Sequence, residues 1–540
     1  MHKILEAAQQ TKPSVQLQKE LKQRGNTVYL NDLVGGALSF YLAASVLKCG
    51  GLHILVAEDR DAAAYAMNDL YALVDERRVL FFPSAFKRSI AYGREDAEGV
   101  VMRTNVMSRI ADLSESDYLI VCTYPEALIE RVVEPKQLSD RSLRIGRGDT
   151  VLISELVEWL DNEGFVRVDF VYEPGQYSVR GGIVDIFSYA ESRPYRLDFF
   201  GDEVESLRRF EIANQLSSER VDCVDIISNT AQSGGNLVSF AAFAGERASY
   251  WFYDAAYILD RLDEQRVKLL QLCEEPQQMA EQITSRREFV DDLQGKTMLL
   301  LKNNVAERPA SVTVNFHTRP QSKFNKNFAL FADDIEARRQ EGLECYMLSD
   351  NRAQMERLDN IFHSLNRSNI KLEMMRLLLH EGFVDYDTCL SLYAEHQIFD
   401  RYRRYKINGE IKRDEQMTIA ELNALRVGDY VVHIDYGVGR FDGLVNLPDP
   451  ITGKSKEVIK LVYRDGDVLF IDVHSLHRIS RYKSGDGEAP KVHKLGSGAW
   501  QKLKTATKKA VKDISRELIA LYAKRKASQG FAFAVDSYLQ

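Results

Sequence analysis

The sequence predicts a multidomain α/β protein: a split parallel α/β domain around an inserted α+β domain, a further small α/β domain, a small β-barrel and a long carboxy-terminal helix. Three observations predict it. At 540 residues the chain exceeds the roughly 250–300 residues at which single cores stop growing. Short continuous apolar runs alternate with helix-length stretches in its first quarter, the rhythm of a doubly wound layer. Glycine-punctuated alternating strands break that rhythm at Glu173–Glu203 and, more compactly, at Leu425–Tyr482.

Composition narrows the function classes. Hydrophobic content of 45% and charged content of 28% are those of a soluble globular protein. A net charge of −8 and a pI near 5.8 exclude a generic nucleic-acid binder and favour a protein partner. Cys49, Cys122, Cys223, Cys273, Cys345 and Cys389 are scattered with no C-x-x-C pair, which argues for buried thiols rather than a zinc site or disulfide framework. No apolar run is long enough to span a bilayer and Met1–Glu6 is no secretory signal, so a cytoplasmic protein without membrane contact is expected.

Taken in order, residues 1–135 form the first half of the α/β domain, with buried strands at Val28–Leu30, Leu52–Val56, Val79–Phe82 and Tyr118–Cys122. Residues 136–212 are the inserted α+β domain, entered through a short helix from Val151 to Gly164. Residues 213–311 return to the α/β layer, with strands at Ala248–Tyr253 and Met298–Leu301. Residues 312–410 are a small α/β domain of unassigned role, with a helix at Phe328–Gln340 and a strand at Glu344–Leu348. It ends in Asp400–Lys406, a basic run interleaved with tyrosines. That run could hold phosphates and stack bases, or be a solvated face before a linker, the simpler reading because nothing nearby supplies a groove. Residues 411–485 are the β-barrel, whose strands Val458–Tyr463 and Val468–Val473 flank an Asp465-Gly466 hairpin turn. Residues 486–540 are a linker and the helix Ala499–Lys526, apolar at Trp500, Leu503, Thr507, Ala510, Ile514, Leu518 and Leu521 and lysine-rich opposite.

In the inserted domain, alternation sends Tyr195, Leu197 and Phe199 to one face and Arg196, Asp198 and Phe200 to the other. Gly181-Gly182 and Gly201-Asp202 supply the turns. The second face carries an arginine and a large aromatic, with Arg180 nearby, the residue types that dominate interfaces. Alternation alone leaves two readings open: a docking surface, or Phe200 packed under a loop with solvated arginines.

The block from Glu173 to Phe187, continued by Pro194-Tyr195-Arg196-Leu197-Asp198-Phe199-Phe200-Gly201-Asp202-Glu203, resembles the damage-recognition protein UvrB and, more closely, the bacterial transcription-repair coupling factors. The resemblance implies that the small domain binds UvrA through Arg180, Arg196, Phe200 and Glu203. It also implies that the split α/β domain is a degenerate RecA-like fold.

The chemistry expected of such a fold is missing. Val34-Gly35-Gly36-Ala37-Leu38-Ser39-Phe40-Tyr41 stands between a strand and a helix, where a phosphate-binding loop belongs. Phosphate loops need a lysine for the terminal phosphates and a following Ser/Thr for magnesium, and Leu38–Leu42 offers no lysine, although any helix N-terminus keeps some affinity for anions. UvrB retains the intact loop and the coupling factors have lost it, so the departure strengthens the second resemblance. His433, His474, His477 and His493 lie close in sequence but lack a neighbouring cysteine or carboxylate set, which favours packing or solvent over metal ligation. No catalytic, cofactor or metal site is expected.

The barrel carries a further resemblance. Val431-Val432-His433, Tyr436-Gly437-Val438-Gly439-Arg440-Phe441 and Leu476–Tyr482 are similar to the CarD-type, SH3/Tudor-like module with which coupling factors hold the β subunit of RNA polymerase. Tyr436 departs from the family's usual histidine. The resemblance implies contact residues Leu447, Leu444 and Arg440, Leu447 falling where the family places an exposed leucine. It also makes the lysine-rich helix a connector to a translocase motor. No motor signature occurs in this sequence, so the resemblance implies an amino-terminal, non-catalytic scaffold joining UvrA to RNA polymerase, with ATP, magnesium and most double-stranded DNA contact left to a missing motor. The alternative is a UvrB-like ATP-dependent nucleic-acid-binding repair enzyme, which an intact loop at Gly35 would mark.

Overall fold

A computed structural model describes residues 2–85, 97–212, 215–229, 236–272, 276–305, 308–367, 369–370, 372–399, 401, 405, 422, 425–433, 436–448, 455–472, 479–482, 492 and 494. The chain divides into two compact units, residues 1–411 and 412–540. Its several sheets and its helices make this a mixed α/β protein.

The first unit is built on a seven-stranded parallel sheet. Its order is Val312–Asn315, Thr27–Asn31, Thr297–Leu300, Ser249–Phe252, Gly51–Val56, Tyr118–Thr123, Val79–Phe81. The chain leaves this sheet after Thr123 and returns at Ser249, and the returning strands slot between Thr27–Asn31 and Gly51–Val56, pairing with both through Thr297–Leu300 and Ser249–Phe252. These strands are apolar on both faces because helices cover both, as parallel sheets require. The helix Ala37–Cys49 is buried along ten consecutive residues, Ala37 to Val46. Over that stretch it has no polar stripe because it is enclosed by the helices His2–Gln9, Lys12–Lys22 and Arg60–Leu73 and by Phe383.

Between the two halves lies a six-stranded sheet in the order Ser217–Val221, Glu203–Phe210, Tyr195–Phe200, Ile183–Ile186, Gln176–Arg180, Val166–Arg167. Its inner face (Tyr177, Val184, Ile186, Tyr195, Leu197, Val204, Leu207) packs on Leu156 and Leu160 of the helix Ile153–Asn162. A third sheet has the order Thr318–Pro320, Phe383–Asp385, Leu390–Ala394, Glu344–Leu348, Glu373–Met375, with the helices Phe328–Gln340 and Arg352–Ser364 beside it. The strand Val312–Asn315 does not join this sheet: it pairs in parallel with Thr27–Asn31 at the edge of the large one.

The second unit is a five-stranded antiparallel sheet ordered Val468–Asp472, Ser455–Val462, Gly437–Pro448, Tyr430–His433, Ile479–Arg481, with Val431, Phe441, Ile459, Leu461, Ile471 and Ile479 buried. Asp465 (φ 66°) and Gly466 (φ 84°) make its tight turn in the left-handed region that Asp-Gly tolerates. The helix expected at Ala499–Lys526 lies outside the described residues. No helix among the described residues is long and apolar enough to cross a membrane.

Candidate functional site

The outer face of the six-stranded sheet is ordered by its register. Ser178 pairs with Asp185, Asp185 with Arg196, Arg196 with Arg208 and Arg208 with Arg220, so an aspartate and three arginines stand in one row across neighbouring strands. Two glycine turns bring the strand ends together: Gly181 (φ 63°) and Gly201 (φ 64°) take conformations that L side chains avoid. The first turn leans on the second strand, with the Phe199 N–H donating to the Gly182 carbonyl at 2.8 Å.

Asp185 organises this face. Its carboxylate is fully buried and accepts from Arg196 twice, Nε to Oδ1 at 2.7 Å and Nη2 to Oδ2 at 2.9 Å, while Arg180 Nη2 donates to the same Oδ2. The Arg196 guanidinium lies 4.6 Å above the Phe210 ring and donates to the Gln215 carbonyl. That of Arg180 lies 4.8 Å above Phe170 and donates to the Asp169 carbonyl. The bidentate bonds to Asp185 raise the Arg196 pKa above the usual guanidinium range. One strand further, Arg208 Nη2 meets Asp198 Oδ2 at 2.5 Å.

The four expected contact residues are spread along the sheet in different states, Phe200 and Glu203 at the turn that joins their strands and Arg196 near the other end, level with Asp185. Phe200 is 79% exposed at the turn, directly across from exposed Glu203. Arg180 is about one-third exposed and Arg196 largely enclosed. Phe200 is thus not packed under a loop, and the arginines are held rather than freely solvated. Asp185 and Arg208 went unread in the sequence. The available signal was an aspartate at an outward position between apolar Val184 and Ile186, in phase with Arg196.

In the second unit, exposed Arg440 lies 5.2 Å over the Tyr430 ring and donates to its hydroxyl. Leu444 is partly exposed and follows Gly443, whose φ of 97° accompanies a bulge in the strand. Leu447 pairs with Lys456 on the same long strand, and its side chain lies outside what is described.

The glycine loop ahead of Ala37 is closed from above. A Cβ on Gly35 would stand 3.1 Å from Glu381 Oε2, and a Cβ on Gly36 would overlap the Glu381 carbonyl oxygen. The surrounding cavity carries the carboxylates of Glu58, Asp59, Asp61, Asp69 and Glu381. Its lysine, Lys302, is paired to Asp254 at 2.8 Å. Such a lining repels phosphates. Among the described residues no group of three or more His, Cys, Asp or Glu side chains could hold a metal. His433 is buried against Tyr436, and His474, His477 and His493 lie outside the described residues. Of the basic run, the described members are committed within the unit: Arg401 pairs with Glu395, and Tyr405 donates to Asp61 at 2.8 Å.

Residues 143–231 match the family model of the UvrB interaction domain, and residues 425–483 that of the CarD-like/TRCF RID domain. The chain is similar to the transcription-repair-coupling factors of Bacillus subtilis (25% identity, covering 95% of this chain and 50% of the relative) and Escherichia coli K12 (24%, 95% and 50%). That of Haemophilus influenzae is 26% identical over 76% of this chain and 41% of the relative. The chain spans about half the length of the curated relatives it matches.

Proposed function

We propose that this chain, kin to the transcription-repair-coupling factors along nearly its whole length, is a non-catalytic adaptor. It holds UvrA through the face around Phe200 and the β subunit of RNA polymerase through the sheet of residues 430–481, bringing nucleotide excision repair to a stalled polymerase. One observation carries this reading: the two interaction modules fall in separate compact units of a single chain, 143–231 in the first and 425–483 in the second. An adaptor needs that separation, because each partner must dock without displacing the other.

The exposed Phe200 on the same sheet as ordered arginines supports the UvrA assignment, since interfaces centre on aromatic and arginine anchors. Arg440, Leu444 and Leu447, gathered on one strand, support the polymerase assignment. The carboxylate-lined glycine loop favours a scaffold over a UvrB-like ATP-dependent enzyme. In relatives about twice as long, ATP, magnesium and double-stranded DNA would belong to a translocase motor beyond the matched half.

Capture experiments with purified partners test both ends. The double variant Arg180→Ala, Phe200→Ala should lose UvrA and keep the polymerase β subunit. Leu447→Arg should do the reverse. Unchanged capture by either variant would remove that surface from the function.

A further inference from the structure

Asp185 is fully buried, yet two guanidiniums converge on it. Each carries one positive charge and the carboxylate cancels only one, so the Arg180–Asp185–Arg196 cluster keeps a net charge of about +1 in a partly desolvated setting. The other direct partners are neutral, since Arg180 donates to the Asp169 carbonyl and Arg196 to the Gln215 carbonyl and both guanidiniums lie over phenylalanine rings, while the nearby Asp198 is itself paired with Arg208. Among the described residues Arg180 uses two of its five N–H donors and Arg196 three. Unused donors and unbalanced charge therefore remain on the same sheet that carries the exposed ring of Phe200 at the far end of the Arg196 strand.

We propose that Asp185 is a positioning residue of the docking face, fixing Arg180 and Arg196 as a preorganised receptor for one carboxylate of the protein partner. The inference rests on the function proposed for this face. A guanidinium left alone on a sheet surface samples many rotamers and must lose that freedom on binding. Bidentate pairing with a buried carboxylate removes the freedom beforehand, and planar guanidiniums with spare donors match a carboxylate in geometry as well as charge. Phe200 then supplies an apolar anchor further along the same strand as Arg196.

Two kinds of variant separate positioning from bulk electrostatics. Asp185→Asn keeps the side-chain shape but presents one acceptor and one donor, so it can no longer hold both arginines. It also makes the face more positive. If geometry governs, affinity of the full chain for UvrA should fall about tenfold, the worth of one charge-assisted contact. If charge alone governs, affinity should stay equal or rise, which would overturn the proposal. In a background with both Arg180→Ala and Arg196→Ala the Asp185→Asn effect should largely disappear, because Asp185 acts through those two arginines. A penalty of the same size in both backgrounds would mean a merely structural role and would also overturn it. Arg196→Lys, which keeps the charge and cannot bind in bidentate fashion, covers the case in which Asp185→Asn fails to fold. It should lose about tenfold, and wild-type affinity would sink the idea. Phe200→Ala reports on the face itself: if it binds normally, the assignment of this face fails, whereas a loss there with unchanged Arg196→Lys fails only the role of Asp185.

Discussion

Gly36 touches Glu381 backbone to backbone, with no room for a side chain between them. Through this contact the third sheet is seated on the glycine loop of the first. Val34 N–H also donates to Thr318 Oγ1 at 3.2 Å, so both ends of the seat are hydrogen-bonded or closely packed. Gly36→Ala must push the Glu381 backbone away, and backbone yields less readily than a side-chain tip. The variant should lose about 1–3 kcal/mol, the usual cost of overpacking, seen as an earlier urea midpoint for the first unit. An unchanged midpoint would show that the two segments are not in contact.

A second joint lies one helical turn further on. Tyr41 is fully buried and donates to Asp385 Oδ2 at 2.8 Å, while its ring packs 4.7 Å from Phe316. Burial pushes the Asp385 carboxyl above its ordinary range, and the bonds from Thr388, Tyr41 and the Asp387 N–H oppose that rise. Tyr41→Phe keeps the packing and removes one of those donors. The expected loss is about 1.5–3 kcal/mol, as for a hydrogen bond to a charged group. A loss as large as that of Tyr41→Ala would instead assign the whole effect to the missing donor.

What the sequence reveals and what it hides follow from the range of the interactions. The helix Phe328–Gln340 is legible at both ends because its signals are local: Asn327 caps the first turn by accepting from the Leu330 N–H, and Phe331, Ala332 and Ile335 repeat along one buried side. The Asp465-Gly466 turn is legible for the same reason. Val312–Asn315 is different, since a parallel strand can join any free sheet edge and its partner lies 284 residues away at Val28. Glu381 over Gly36 leaves no local pattern at all. Within the docking face, alternation placed Arg196 and Phe200 together, but that Asp185 binds two arginines depends on a strand pairing that periodicity cannot rank.

His53 gives the first unit a pH dependence. It is buried in the central strand Gly51–Val56, with its Nε2 toward the Gly50 carbonyl at 3.0 Å and its Nδ1 accepting from Trp251 Nε1 at 3.1 Å. Both bonds suit a neutral ring, and burial lowers its pKa to about 4. The unfolded chain takes up this proton near pH 6.5 and the folded chain only near 4, so protons favour unfolding between those values. The contribution is complete above about pH 6.5 and declines as pH falls, by about 3 kcal/mol in all. Buried Glu130 and Asp385, whose pKa values are raised, act in the opposite direction. The effect is therefore read as a difference between proteins. The stability advantage of wild type over His53→Gln should shrink by about 2–3 kcal/mol between pH 7 and 4.5. A constant difference would mean that His53 titrates alike in the folded and unfolded chains.

The glycine loop should also be silent toward nucleotides. A helix N-terminus offers N–H groups and a favourable dipole to any anion, and Ala37–Cys49 starts directly after Gly36. Here that end faces Glu381, and the cavity around it holds four more carboxylates, Glu58, Asp59, Asp61 and Asp69. Lys302 is already committed to Asp254 and stands within reach of Glu58. A triphosphate would meet like charge on several sides with no lysine to receive its terminal group. Titration calorimetry of the chain with ATP and magnesium should show no saturable heat up to about 1 mM, the concentration that corresponds to roughly −4 kcal/mol of binding. Glu381→Gln should not create a site, because the backbone of residue 381 still covers Gly36. Saturable binding by the wild-type chain below that concentration would return the loop to the nucleotide-binding class and revive the enzyme reading.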